Sequence, residues 1–225
     1  VQTISIHSST GYCVTDFDRW DVLPKAILFA GMFIGASAGS TGGGIKVIRL
    51  VIAVKVIIAE LERGEFTHLN QTKTIGWKEP DWQLGQVAKD RLWTVTLHYH
   101  QWLYELAKVA AGSRGELSAR ATACLGHYLS DWLNRCDVSE RGAQHLVWNS
   151  YAVATRLVWW TRAYRLLEGR ALDEQRGLVE RWRSSIWHHA HYLSRNLEWD
   201  LRGNHLLRDG VGLACAGRFS AFFWR

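Results

Sequence analysis

Residues 179–193 read VERWRSSIWHHAHYL, and the apolar side chains in this stretch give the clearest evidence for the fold class. Val179, Trp182, Ile186, His189 and Leu193 follow one another at intervals of 3, 4, 3 and 4 residues. They therefore share one face of a helix. The spacing predicts an amphipathic helix, which we place over residues 174–197.

The same periodicity recurs on both sides of this helix. It predicts four further helices, over residues 97–111, 116–134, 149–168 and 204–223. Glycines, which often end helices, stand near the predicted boundaries at positions 112, 142, 169 and 203. Residues 66–93 contain Pro80 and many polar side chains, so they are predicted to be extended and rich in turns. The larger part of the chain is therefore predicted to be all-α.

The composition changes sharply near residues 58–66. The 225 residues carry 27 Lys and Arg against 21 Asp and Glu, a net charge of +6, and 48% of them are hydrophobic. This content excludes a disordered chain. Only Trp20 of the 13 tryptophans falls in the first 60 residues, and the remainder holds 22 basic against 17 acidic residues. We predict two domains, residues 1–58 and 59–225. Because the sequence starts at Val1 and stops at Arg225 inside an apolar run, we expect the chain to be a fragment.

Residue spacing argues against several kinds of site. The four cysteines at 13, 124, 136 and 215 form no C-x-x-C pair, so they are predicted to be buried or free thiols. The histidines form no H-E-x-x-H motif, and His98 and His100 are expected on different faces of a helix. The run Gly39–Lys46 is followed by Val47, where a phosphate-binding loop needs Ser or Thr. We expect no metal, no cofactor and, without a dense basic cluster, no nucleic-acid partner.

Residues 26–45 form an uncharged run, AILFAGMFIGASAGSTGGGI. About 20 apolar residues span a bilayer as a helix, but the second half of this run is rich in Gly, Ser and Thr. The next apolar stretch, Val47–Ala59, contains Arg49 and Lys55, and a charge at membrane depth usually faces a pore or a bundle interior. Residues 26–58 are therefore predicted to contact a membrane. A glycine-rich turn between two soluble core helices remains the alternative.

Several separated motifs occupy this first segment. They are Ser8-Ser9-Thr10-Gly11-Tyr12, Asp16-Phe17, Trp20, Met32-Phe33-Ile34-Gly35 and Gly39-Ser40-Thr41-Gly42-Gly43-Gly44-Ile45-Lys46-Val47-Ile48-Arg49. Over about residues 1–58 they resemble the last pore repeat of the TrkH/KtrB potassium-transporter superfamily. The resemblance implies that Thr10, Gly11 and Tyr12 form one of four pore-loop strands whose carbonyls replace the hydration shell of potassium. It also implies that Lys46 and Arg49 lie near the ion pathway, on a broken final transmembrane helix. One repeat cannot close a filter that needs four.

The tryptophans of the second segment have two interpretations. Trp132 and Trp182 lie at core spacing and are predicted to pack inside. Trp159 and Trp160 are adjacent, so one of them is predicted to meet a second helix layer or a groove. Flat indole rings suit sugars, and a basic domain suits an anionic polymer. An ordinary two-layer helical protein with a solvated basic face would have the same composition.

A second set of motifs covers the larger segment. It comprises Phe66-Thr67-His68-Leu69-Asn70, Leu92-Trp93, Leu97-His98-Tyr99, Trp148-Asn149-Ser150-Tyr151, Arg156-Leu157-Val158, Trp160, Asn196-Leu197-Glu198 and Gly203-Asn204-His205-Leu206-Leu207. Over about residues 60–225 these motifs resemble the N-terminal domain of the heparinase II/III-like polysaccharide lyases. The resemblance implies a partial α/α toroid, in which helical hairpins surround a groove for an acidic polysaccharide. It also implies β-elimination at a uronic acid.

The resemblance assigns candidate residues to this chemistry. Asn204 is the candidate clamp for the substrate carboxylate, and His205 is the candidate base or charge partner, because an imidazole changes charge near neutral pH. The alternative is that Asn204 only caps the final helix. Substrate-groove positions are further predicted at Trp93, Tyr99, Trp148, Tyr151 and Arg156. The family places a catalytic tyrosine and another histidine later in the chain, so turnover by these 225 residues alone is not expected.

The two resemblances imply different locations. The transporter segment would be membrane-associated, with Lys46, Arg49 and Lys55 on the cytoplasmic side, whereas lyases of this family are periplasmic or secreted. We interpret the chain as two gene pieces joined end to end, or else as a fusion with an unusual cytoplasmic role. Three functions remain open: a lyase fragment, a fragment of a potassium transporter, and a non-catalytic helical binding module.

Overall fold

The computed structural model describes residues 15–35, 45–83, 90–139, 146–168, 176–201 and 203–223. The chain divides into two compact units, Val1–Ile57 and Ile58–Arg225. A helix that begins in the first unit ends in the second, so the division falls within regular structure.

The first unit contains a short 3-10 turn, Phe17–Arg19, followed by helix α1, Val22–Phe33. Strands β1, Ile34–Gly35, and β2, Ile45–Lys46, pair in parallel, with Ile34 opposite Ile45. Helix α2, Val47–Glu62, follows at once and contains Arg49 in its first turn. The predicted pore-loop residues Thr10, Gly11 and Tyr12 lie outside the described part of the chain.

The uncharged run of residues 26–45 is not one helix in this structure. Residues 26–33 belong to α1, and the pairing of β1 with β2 begins directly after it. Helix α1 has 12 residues and α2 has 16, and within the described residues no helix has both the length and the apolar character to cross a bilayer.

In the second unit a β-hairpin follows the end of α2, in the segment predicted to be extended. Strands β3, Glu65–His68, and β4, Gln71–Thr74, pair antiparallel, with Glu65 opposite Thr74 and His68 opposite Gln71. Leu69 and Asn70 form the two-residue turn, and both have positive φ angles of 52° and 59°. Phe66, on the buried face of β3, contacts the rings of Trp102 and Tyr128.

Six helices follow the hairpin among the described residues. They are α3, Arg91–Leu97; α4, Gln101–Gly112; α5, Glu116–Arg135; α6, Ser150–Leu167; α7, Arg176–Arg195; and α8, Gly203–Phe223. The mainly helical fold predicted from the sequence is confirmed. Helix α6 is central: it packs against α4, α7 and α8, and its side chains are buried along most of its length.

The short helix α3 and the break after it differ from the prediction. His98 and His100 were expected on two faces of one helix, but they flank the break, and His100 has a positive φ of 59°. Both are fully buried. The indole N–H of Trp132 donates to Nδ1 of His98 at 3.2 Å, and that of Trp160 donates to Nδ1 of His100 at 2.8 Å. These distant partners stabilise a conformation that local sequence does not favour.

The largest fully buried side chains of the core are tryptophans. Trp132 and Trp182 are 1% and 0% exposed, so their predicted packing role is confirmed. Of the adjacent pair on α6, Trp160 is fully buried, whereas Trp159 is half-buried against the ring of Tyr104. Helix packing, with no sheet beyond the short hairpin in this unit's described part, therefore positions the side chains discussed next.

Candidate active site

A groove of about 460 Å³ lies where the beginnings of α6 and α8 meet α3. Helix α3 contributes Arg91, Leu92 and Val95, and Tyr99 follows it directly. The start of α6 contributes Asn149 and Tyr151, and the start of α8 contributes Asn204 and His205. Four of the residues predicted for the site, Tyr99, Tyr151, Asn204 and His205, therefore line one groove.

Helix α8 presents Asn204 and His205 from its first turn. The helix begins at Gly203, whose φ is +56°, and Asn204 follows it in the first turn. The side chain of Asn204 is exposed, so its amide is accessible from solvent. By contrast, the side chain of Asn149 caps α6 by accepting from the backbone N–H of Ala152 at 3.3 Å. Capping of the last helix stays the alternative role for Asn204.

His205 is held from two sides. Its Nδ1 lies 3.0 Å from a carboxylate oxygen of Glu198, in the loop between α7 and α8. The centre of its ring lies 4.9 Å from that of Tyr151. The imidazole is 44% exposed, whereas the Glu198 carboxylate is only 11% exposed. His205 therefore has a shielded acidic partner and still reaches the groove.

Tyr99 and Tyr151 form an aromatic pair in the same groove. Their ring centres are 5.8 Å apart, and the guanidinium carbon of Arg208 lies 5.6 Å from the centre of the Tyr151 ring. Burial raises the pKa of Tyr99 above its usual value, with the neighbouring Tyr151 acting in the same direction and Arg208 against it. The Tyr99 phenol therefore keeps its proton at neutral pH and can donate a hydrogen bond.

The other three predicted residues, Trp93, Trp148 and Arg156, are buried and are not among the residues that line this groove. Trp93 is 1% exposed, and its indole N–H donates to the carbonyl of Gln71 at 2.9 Å. Trp148 is 6% exposed and donates to the carbonyl of Cys136 at 2.9 Å. Arg156 is fully buried, and its guanidinium donates to the carbonyls of His98 and Val147, each at 2.9 Å. Their polar groups donate to backbone carbonyls of other parts of the chain.

A second groove, of about 430 Å³, adjoins the core near α7. Trp148 reaches it, together with Asp137, His188, His191 and Arg195. Among the described residues no cluster of His, Cys, Asp or Glu is arranged to hold a metal ion. Cys124 and Cys136 are buried, and Cys215 is half-buried.

Sequence reasoning did not assign roles to Glu198 and Asp209. The backbone N–H of Glu198 donates to a carboxylate oxygen of Asp209 at 3.0 Å, and Asp209 is fully buried. Burial raises the pKa of Asp209, although the hydrogen bond from Glu198 acts in the opposite direction. A signal was present in the sequence, because Asp209 stands four residues after His205 and so lies on the same side of α8.

Comparison with known proteins gives the family of this helical unit. Residues 56–223 match the family described as Heparinase II/III N-terminus, and the chain belongs to this family. The crystal structure of heparan sulfate lyase HepC from Pedobacter heparinus is similar, with a TM-score of 0.61 and 18% identity. The similarity covers 91% of this chain and 37% of that one, and at this identity it shows the fold alone.

The beginning of the chain matches a second family. Residues 1–85 match the model for TrkH, described as a cation transport protein, so the two matches overlap at residues 56–85. The Trk system potassium uptake protein TrkH of Halomonas elongata is 39% identical over 62 residues, and that of Vibrio parahaemolyticus is 42% identical over 62 residues. Each alignment covers 28% of this chain and 13% of the relative. Both resemblances found in the sequence are confirmed as family matches.

Proposed function

We propose that the second unit is part of a polysaccharide lyase that binds a uronic-acid polymer in the groove and cleaves it by β-elimination. The observation that carries the proposal is that Asn204 and His205 line one groove with Tyr99 and Tyr151. The helices would form part of an α/α toroid around this groove. The chain spans 37% of the length of HepC, so the complete activity belongs to the proposal as well.

The chemistry makes distinct demands on the groove. A base removes the proton on the carbon next to the uronate carboxylate, and the electron pair left behind forms the new carbon–carbon double bond. The bond to the leaving glycosidic oxygen breaks, and that oxygen takes up a proton. Negative charge grows on the carboxylate as the first proton leaves, so a hydrogen-bond donor at that carboxylate accelerates the reaction.

Two groove residues match two of these demands, the donor to the carboxylate and the base. The amide of Asn204 is exposed in the first turn of α8, where the partial positive charge of a helix start favours an anion. We assign it to the substrate carboxylate. We assign His205 as the base that removes the proton from the carbon next to that carboxylate. Its Nδ1 contacts Glu198, so its Nε2 is the nitrogen that would take the proton. The phenol of Tyr99 and the ring of Tyr151 are assigned to binding the sugar.

The test is binding and cleavage of polyuronates by the full chain. Alginate and heparin-type polymers are titrated at increasing salt, and cleavage is followed by the ultraviolet absorbance of the unsaturated product. Asn204→Ala and His205→Ala are expected to weaken binding about tenfold, as loss of a hydrogen bond to a charged group does. Asn134→Ala and His188→Ala are the matched controls, because both residues are exposed and lie outside the groove.

Two results would contradict the lyase proposal. The first is equal binding of neutral and acidic glycans by the full chain. The second is polyuronate binding that the groove variants and the control variants reduce to the same extent. Partner binding that ignores Asn204 and His205 would favour a non-catalytic helical module instead.

We propose separately that the first unit derives from a potassium-transporter pore repeat and associates with a membrane through residues 26–58. The match of residues 1–85 to TrkH supports this origin, as do the exposed apolar side chains of Val22, Leu23, Ile27 and Phe29 on α1. Potassium flux would require the remaining repeats. Fractionation of cells expressing the chain tests the association: recovery entirely without detergent contradicts it. Detection of one intact polypeptide from the native locus would contradict the interpretation of two artificially joined gene pieces.

A further inference from the structure

Glu198 makes a contact with His205 that local sequence does not require. It lies in the loop before α8, seven residues ahead of His205. Its carboxylate oxygen is 3.0 Å from Nδ1 of the imidazole. Because the carboxylate is 11% exposed and the imidazole 44% exposed, the acidic side of the pair is shielded while the histidine stays accessible.

The contact decides which nitrogen of the ring carries hydrogen. An ionised carboxylate has only acceptor sites, so the hydrogen in this bond belongs to Nδ1 of His205. In the neutral imidazole the lone pair is then on Nε2. Without a partner at Nδ1, a histidine in water favours the opposite arrangement, with the hydrogen on Nε2 and no lone pair there.

Asp209 holds the backbone of Glu198 in place. Its buried carboxylate accepts the backbone N–H of Glu198 at 3.0 Å. Asp209 stands four residues after His205, about one turn further along α8. The helix that carries His205 therefore also anchors the residue that orients it. The Tyr151 ring, 4.9 Å from the imidazole, limits its rotation from α6.

We propose that Glu198 is a positioning residue for His205: it holds the imidazole with hydrogen on Nδ1, so that Nε2 is the nitrogen offered to the substrate proton, and Asp209 braces Glu198. The catalytic meaning of this arrangement rests on the proposed lyase function. The arrangement itself does not, and it is measurable without substrate.

The test uses the full chain with isotopically labelled histidine. Proton–nitrogen correlation spectra are recorded above about pH 8, where an ordinary imidazole is neutral, and His205→Ala identifies the signal. Wild type is expected to show the Nδ1–H form at His205. Glu198→Ala is expected to shift it toward the Nε2–H form, whereas Glu198→Gln is expected to retain it, because the amide oxygen still accepts. Glu180→Ala, which removes a carboxylate paired with Arg183, is the matched control.

The backbone bond from residue 198 to Asp209 survives in all of these variants, so folding is expected to be preserved. If the full chain cleaves a polyuronate, Glu198→Ala is expected to lower kcat about tenfold or more with little change in KM, with partial recovery in Glu198→Gln. A Glu198→Ala protein that keeps the Nδ1–H form overturns the inference, whatever the lyase assay gives. A shifted tautomer in a chain whose wild type binds no polyuronate refutes the lyase proposal and leaves the positioning contact established.

Discussion

The guanidinium carbon of Arg156 lies 4.5 Å from the centre of the Trp132 ring, inside the core of the second unit. Arg156 also lies within 6 Å of the ring centres of Trp148 and Trp160. The cation is thus stabilised by ring faces and by two backbone carbonyls. Burial lowers the pKa of Arg156 to about 9. The residue is a structural centre of the helical domain.

We predict that Arg156→Ala lowers the free energy of unfolding by about 3 kcal/mol or more. The substitution leaves a cavity among the tryptophans and removes the donors from the carbonyls of His98 and Val147. Denaturant titration measures the change. Arg162→Ala on the same helix, where the side chain is exposed, is the control. A variant of normal stability with weakened polyuronate binding would instead support the substrate role predicted from the sequence.

Acidification is predicted to destabilise the second unit. Burial, with the charge of Arg156 as a lesser cause, lowers the pKa of His98 to about 3 and holds the pKa values of His100 and His189 well below the usual range. In the unfolded chain these groups take up protons near pH 6.5. Their stabilising contribution is therefore complete above that pH and is lost as the pH falls toward the folded-state values.

The slope of this loss is expected to approach about 1.4 kcal/mol per pH unit for each of the three histidines. Denaturant titrations at about pH 7.5 and about pH 5 measure it. His98→Gln is expected to reduce the slope, and the exposed His188→Gln is expected to leave it unchanged. Equal stability at both pH values would show that the buried histidines do not control acid unfolding.

The substitution Gly212→Ala is predicted to destabilise the protein, although alanine is a better helix former than glycine. A Cβ on Gly212 would lie 2.8 Å from the backbone of Ala154, so α8 or α6 would have to move. We expect a loss of about 1–3 kcal/mol, the usual effect of overpacking. Thermal unfolding measures it.

Gly210 gives a matched control for that substitution. It lies on the same helix, and a Cβ there would have nothing within 4 Å. Gly210→Ala is therefore expected to raise stability by about 0.5–1 kcal/mol, because alanine is the better helix former. If both variants change stability in the same direction, the close approach of α8 to α6 is not the cause.

Tyr99→Phe is predicted to weaken polyuronate binding about fivefold, as expected for the loss of one hydrogen bond of about 1 kcal/mol. The phenol is assigned to a sugar oxygen, and the ring pair with Tyr151 survives in the variant. Binding titrations measure the change. Tyr104→Phe, which alters a tyrosine packed on Trp159 outside the groove, should bind as wild type does. Equal losses in the two variants would remove Tyr99 from the binding surface.

The helices could be predicted from the sequence because their periodicity is local. Helix α7 was placed at residues 174–197 and is found at Arg176–Arg195, with Trp182, Ile186, His189 and Leu193 all buried. The placement of Asn204 and His205 at the start of the last helix was likewise a matter of spacing. Their meeting with Tyr99 and Tyr151 was suggested by the family resemblance, and the structure supplies the groove.

The features that escaped prediction depend on partners far away in sequence. The positive φ of His100 accompanies a bond from Trp160, sixty residues on, and the interior position of Arg156 depends on carbonyls of His98 and Val147. A charged side chain gives no local sign that such acceptors will surround it. The role of Glu198 could not be predicted for the same reason, because its orientation is set by the loop that folds back onto α8.

The contact between Gly212 and Ala154 has a consequence for how variants of this protein should be interpreted. Tyr151 stands three residues before Ala154, which is about one turn of α6. His205 stands seven residues before Gly212, which is about two turns of α8. We therefore expect the close approach of Gly212 to the backbone of Ala154 to set the spacing between the groove residues on α6 and those on α8. A mutational screen would score a bulky residue at position 212 as a defect in substrate handling, although that residue lies outside the groove lining.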